Sequence, residues 1–206
     1  LDLPASVIVY DGAHTRMAET DYVYDEPAYL TATTIATQHT APPSSVRGNL
    51  TTINRWVNTS NSFIASHTNW YDTGEPFQQI DPQGHTTTHS YDPFYLGAYS
   101  TQTCSPATGT MQHCVSGTYD LNTGALTSLT NENAAAQASG NTPGDSAHTS
   151  NFSYDYMFRI TSAQAPPDPA NGSARAQTGF VFSASGTFPL TVTRSKSITS
   201  TLSDSA

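Results

Sequence analysis

Charge is scarce in this chain. Asp, Glu, Lys and Arg make up only 11% of its 206 residues, less than half the ~25% of ordinary soluble domains. Cations are scarcest: seven Lys and Arg stand against 16 Asp and Glu, a net charge of −9. Arg16, Arg47, Arg55, Arg159 and Arg175 are scattered, and only Arg194 and Lys196 lie close together. A chain without a basic patch cannot release counterions from phosphate, which argues against nucleic acid as a partner. Long apolar runs are absent too. None approaches the roughly 18 residues of a transmembrane helix, so no membrane span is expected in this segment. There is no leader pattern, the first residue is Leu1, and the last is Ala206. Both ends are expected to be cuts through a longer polypeptide.

The familiar catalytic and metal signatures are also missing. No His-Glu-x-x-His and no Gly-x-Ser-x-Gly occurs. His85 and His89 lie four apart, which on a strand means one shared face rather than one helical turn. The only cysteines, Cys104 and Cys114, are separated by nine residues. Their spacing fits no standard zinc pattern, even with His113. They can close a local disulfide in an oxidising compartment if their Cα atoms come within about 7 Å. Two free thiols are the alternative. Neither a metal nor a cofactor is expected.

Hydrophobic residues make up 36%, so a broad Leu/Ile/Val core is not available. Thr, Ser, Asn and Gln fill the gap, alongside 11 Tyr and eight Phe. Thr, Tyr, Phe and Val suit a pleated, half-buried surface, and the composition reads as β-structure.

What the sequence does have is a repeat. Tyr-Asp occurs six times, at Tyr10-Asp11, Tyr24-Asp25, Tyr71-Asp72, Tyr91-Asp92, Tyr119-Asp120 and Tyr154-Asp155. With 11 Tyr and 12 Asp, chance supplies fewer than one such pair. The clearest unit runs from Tyr71 to Asp92. Its turns are Asp72-Thr73-Gly74 and Asp81-Pro82-Gln83-Gly84, where Asp bonds its own backbone and Gly accepts positive φ. Phe77 and Ile80 mark the strand between them, and His85 to Tyr91, centred on Thr87, is a second extended run. A second unit begins at Tyr119-Asp120 with a turn ending at Gly124, and Leu126 and Leu129 stand where Phe77 and Ile80 stood. Residues 134–147 then read as a loop insertion before the strand ending at Tyr154-Asp155. Further hairpins are expected over Val7–Tyr10 with Thr20–Tyr24, and over Phe180–Phe182 with Leu190–Thr193. A strand is also expected within Arg47–Trp56.

These residues resemble the RHS/YD-repeat family, whose pattern is roughly Tyr-Asp-x-x-Gly, an apolar strand, Asp-x-x-Gly, then Thr-x-x-x-Tyr-Asp. Tyr71, Asp72, Gly74, Asp81, Gly84, Thr87, Tyr91 and Asp92 fill it closely. Tyr119, Asp120 and Gly124 follow with a one-residue offset. The resemblance is strong over residues 63–92 and looser over the rest of 7–165. It implies an all-β fold of antiparallel hairpins stacked into a curved, extended sheet, one YD-repeat region over residues 1–206. Members of the family are long secreted or cell-surface proteins, including toxins and adhesion receptors. In the toxins the sheet forms a shell that encloses an effector domain.

On this reading the repeated Tyr stacks on its copies in neighbouring hairpins while Asp and Gly build the turns. Asp81 and Asp92 are then turn residues rather than half of a catalytic carboxylate pair, because a catalytic site is one constellation and not a periodic one. No enzymatic activity is expected of this segment. The partners expected are neighbouring repeats and an encapsulated effector. The alternative is an adhesin segment that binds glycan or a protein surface through Trp56, Trp70, Tyr95 and Tyr99.

Overall fold

A computed structural model of the chain describes residues 2–32, 46–94, 97–109, 111–132, 145–171, 173–182, 192–197 and 203–205. Among these the regular structure is strand, interrupted only by three-residue 3₁₀ turns. The fold is all-β and antiparallel, as the composition and turn pattern predict. The chain divides into two compact units, Leu1–Gly109 and Thr110–Ala206.

The first unit begins with the hairpin β1 (Ser6–Tyr10) and β2 (Arg16–Tyr24). A two-residue strand, β3 (Leu30–Thr31), follows. The ladder then continues through β4 (Leu50–Val57), β5 (Ser62–Tyr71), β6 (Pro76–Ile80), β7 (Thr86–Tyr91) and β8 (Ser100–Cys104). Each successive strand pairs antiparallel with the one before, β4 joining β2. β3 stands aside and pairs parallel with the end of β5.

The second unit repeats the plan with β9 (Cys114–Tyr119), β10 (Leu126–Thr130), β11 (Thr149–Tyr154) and β12 (Ile160–Asp168). It ends with β13 (Ala174–Phe182), β14 (Val192–Ser197) and β15 (Ser203–Ser205). Phe182 faces Val192 in the last long hairpin, where the turn-flanked apolar runs place it. Of the expected insertion, residues 134–144 lie outside the described residues, and Ser146–His148 form a 3₁₀ turn capped by the Asp145 carboxylate.

Burial is polar. Thr51, Thr52, Ser116, Thr130 and Thr149 are buried, while the only buried apolar side chains among the described residues are Cys104 and Cys114. The Thr130 and Thr149 hydroxyls meet across β10 and β11 at 2.8 Å. Burying a hydroxyl without a partner costs ~1–3 kcal/mol, so such pairing is what permits a core made of threonine.

Candidate functional site: aspartate turns and aromatic tethers

The motif residues collect at the hairpin ends, and one turn recurs there atom for atom. In the Asp81 turn, the Asp81 N–H donates to the His85 carbonyl at 3.0 Å and the Gly84 N–H donates to the Asp81 carbonyl at 3.0 Å. The Asp81 Oδ1 accepts from the Gln83 and His85 N–H groups, both at 2.8 Å. Asp11 and Asp155 repeat all four bonds, to Thr15 and His14 in one case and to Arg159 and Phe158 in the other. This is a three-residue hairpin loop whose third residue is left-handed. Gly84 fills that position with φ 85°, His14 with 60° and Phe158 with 59°.

The other turns are variants. At Asp120 the loop is one residue longer, closing on Ala125 with Gly124 at φ 75°. Asp92 is buried and closes a wider loop on Tyr99, accepting from the Phe94 N–H at 2.9 Å and from the Tyr99 N–H at 3.4 Å. Asp25 reaches across the chain, its carboxylate accepting from the N–H groups of Arg47, Gly48 and Asn49.

The clearest unit in the sequence is shifted by one residue. Here Tyr71, not Asp72, closes the turn, bonding to the Glu75 carbonyl at 2.9 Å and accepting from Gly74 at 2.9 Å. Asp72 instead donates its N–H to Thr31 of β3 at 3.0 Å and accepts from the Arg47 guanidinium through its carbonyl. The residue before the closing pair, which is Tyr91 or Tyr154 elsewhere, is therefore Trp70.

That preceding aromatic has a common task. The Tyr91 hydroxyl donates to the Pro76 carbonyl at 2.6 Å, Tyr154 to Leu126 at 2.9 Å, and the Trp70 indole N–H to Leu50 at 2.9 Å. Each acceptor is the cross-strand partner of the preceding motif aromatic: Leu50 pairs with Tyr24, Pro76 with Trp70, and Leu126 with Tyr119. Within each unit, these three tethers therefore stitch one motif to the one before it. The Tyr24 hydroxyl also reaches a backbone carbonyl, that of Pro4 at 3.0 Å, but Pro4 lies beside no earlier motif. The sequence separations are 20, 15 and 28 residues, yet strand register makes the contacts alike. Tyr10-Asp11 sits at the opposite end of the ladder from Tyr24-Asp25 and pairs with Asp81 in geometry.

Ring contacts add to the bonds. Tyr71 stacks on Phe77 with centroids 4.4 Å apart and meets Tyr91 edge-on at 6.4 Å. Burial, followed by the charge of Glu75 and the neighbouring Tyr71, raises the Tyr91 pKa above the ordinary phenol value.

Of the four expected binding aromatics, the two tryptophans lie far apart. Trp56, opposite Phe63 at the β4–β5 tip, carries Arg16 over its ring at 4.0 Å. Trp70 lies seven residues along β5 from Phe63, roughly 23 Å away at strand rise. Tyr99 is half-buried in the Asp92 loop, and Tyr95 lies outside the described residues. His85 binds the Asp81 carboxylate at 2.8 Å while His89 turns to Thr103 at 3.1 Å. Both cysteines are disulfide-bonded and no free cysteine remains.

Sequence reasoning missed a second polar cluster. Glu26 accepts from Thr51 at 2.7 Å and also from Thr52, whose hydroxyl meets His67 Nδ1 at 2.9 Å under the stacked ring of Tyr29. These residues belong to no repeat, and only the strand register brings them together.

No family model and no curated protein matches the chain. Solved structures do. The crystal structures of TcdB2-TccC3-TEV and TcdB2-TccC3 each share 12% identity over 93% of this chain, with TM-scores of 0.54 and 0.53. The chain spans about 9% of the length of those proteins. At that identity the likeness concerns the fold, and the fold is the one that the Tyr-Asp pattern implies.

Proposed function

We propose that the chain is a wall segment of a large secreted or cell-surface protein of the RHS/YD-repeat type, in which repeated hairpins form a shell around an effector carried by the parent. The observation that carries this reading is the tether, which commits Trp70, Tyr91 and Tyr154 each to the backbone beside the preceding motif. A residue placed to join one repeat to the next serves a continuous sheet. The carboxylates of Asp11, Asp25, Asp81, Asp92, Asp120 and Asp155 serve the same end, since each accepts from backbone N–H groups of a turn or loop. The fold shared with a small part of TcdB2-TccC3 supports a segment of something longer. The oxidised cysteines suit an extracellular setting.

The test is electron cryo-microscopy of the full parent polypeptide. A hollow β-shell with these residues in its wall, and internal density that disappears when the parent's effector is deleted, is the expected result. A compact, isolated domain over residues 1–206 that makes no strand pairing to flanking chain would overturn it.

A further inference from the structure

The turns at Asp120 and Asp155 frame a cleft of about 300 Å³ that the stitching of the wall does not require, at the small end of ligand-sized clefts. Its floor is one face of two paired strands, with Thr127 on β10 and Phe152 and Tyr154 on β11. Its rim is Asp120 and Thr123 on one side and Asp155 and Phe158 on the other.

Phe158 is out of keeping with its position. The same left-handed site holds Gly84 and His14 in the sister turns, and a bulky residue there costs about 1–2 kcal/mol. Its ring recovers little of this by burial, being 61% exposed. The adjacent Tyr156 and Met157 are exposed as well. The strain places an aromatic wall at the cleft instead of in a core.

The polar groups decide what fits. Tyr154 already donates to Leu126 and Thr127 to the Thr118 carbonyl at 3.1 Å. Asp155 is matched by Arg159, whose Nε donates to its Oδ2 at 2.7 Å and whose guanidinium lies over Phe182. Asp120 is exposed, and its Oδ1 holds the turn N–H groups of Asn122 and Thr123 at 2.9 and 3.3 Å, while its Oδ2 stays open to a ligand. Thr123 and Ser153 keep hydroxyl protons. The cleft thus presents one uncompensated carboxylate and several aromatic rings in the same lining, which attracts a cation on both counts and repels an anion.

We infer that this cleft is a binding site for an organic ammonium group, with Phe152 and Phe158 holding its carbon substituents and Asp120 its charge. The group can be a free alkylamine or a lysine side chain of another polypeptide. Both share the chemistry.

The test titrates the ¹⁵N-labelled 206-residue chain with n-butylammonium, with tetramethylammonium, with a lysine-containing tripeptide, and with methyl glucoside as a neutral control. Saturable shifts confined to the amides of residues 120–127 and 152–158 are expected with the cations and not with the glucoside. Tighter binding of the tripeptide than of butylammonium assigns a polypeptide source, and the reverse a free amine. Asp120→Asn keeps the turn acceptor, and Phe158→Gly relieves strain, so both variants should fold. Each should weaken binding about tenfold or more. No saturable shift with any cation, equal affinity in D120N, or preference for the glucoside would each overturn the assignment.

Discussion

At the scale of single residues, the Asp81 turn separates what a carboxylate does by shape from what it does by charge. The Oδ1 acceptor shapes the loop, and an asparagine can supply that atom equally well. The negative charge matters through His85, whose side-chain hydrogen bond is the main reason the Asp81 pKa lies below the ordinary carboxylate value, against a smaller opposing effect of burial. A folded-state pKa below the unfolded one gives stability that is complete above the usual carboxylate range. That stability is lost as pH falls through the lowered folded value. Asp81→Asn should therefore keep the hairpin but remove this pH dependence. Denaturant midpoints of the two proteins should differ most near neutrality and converge in acid. A gap that stays constant with pH would show that His85 does not recognise the charge. Asp155 follows the same sign by another route: burial pushes its pKa up, and the bonds from Arg159, with the turn N–H groups, more than reverse this.

At the scale of the hairpin, the tether is the bond that distinguishes this ladder from a plain meander. An isolated two-stranded hairpin is marginal, and stacked ones gain stability from their neighbours. Tyr91→Phe keeps the ring against Tyr71 while deleting the donor to the Pro76 carbonyl. The expected loss is about 0.5–1.5 kcal/mol, read from urea unfolding. Hydrogen exchange should quicken in β6 and β7 ahead of the rest of the unit. A variant as stable as the parent would leave the hydroxyl without a structural role. Strand positions and turn types were legible in the sequence because Asp, Pro and Gly at fixed offsets have few backbone solutions. The tether was not legible. It joins residues 15 to 28 apart, and only the register supplies the partner. The place of Trp70 in the motif is not legible either, because nothing in Trp-Tyr-Asp says which residue closes the turn. Phe158 was invisible for a related reason. Its strain is visible only once the Asp81 and Asp155 turns are superposed.

For the whole molecule, the exposed edge strand has a consequence of its own. β1 opens the ladder of the first unit and, among the described residues, pairs on one side only, with β2. Its residues are exposed on both faces, with Val7 at 50%, Ile8 at 40% and Val9 at 51% exposure. An apolar edge strand paired on one side only is a template for another strand, and natural monomers blunt such edges with charge. This one carries none between Ser6 and Tyr10. The 206-residue chain should self-associate through β1, with a weight-average mass that climbs with concentration in sedimentation velocity. Ile8 faces Glu19 across the hairpin, so Ile8→Lys sets a charge on the edge opposite an acidic partner and should spare the fold. The variant is expected to sediment as a monomer over the range in which the parent chain associates. Association that persists unchanged in Ile8→Lys would place the sticky surface elsewhere.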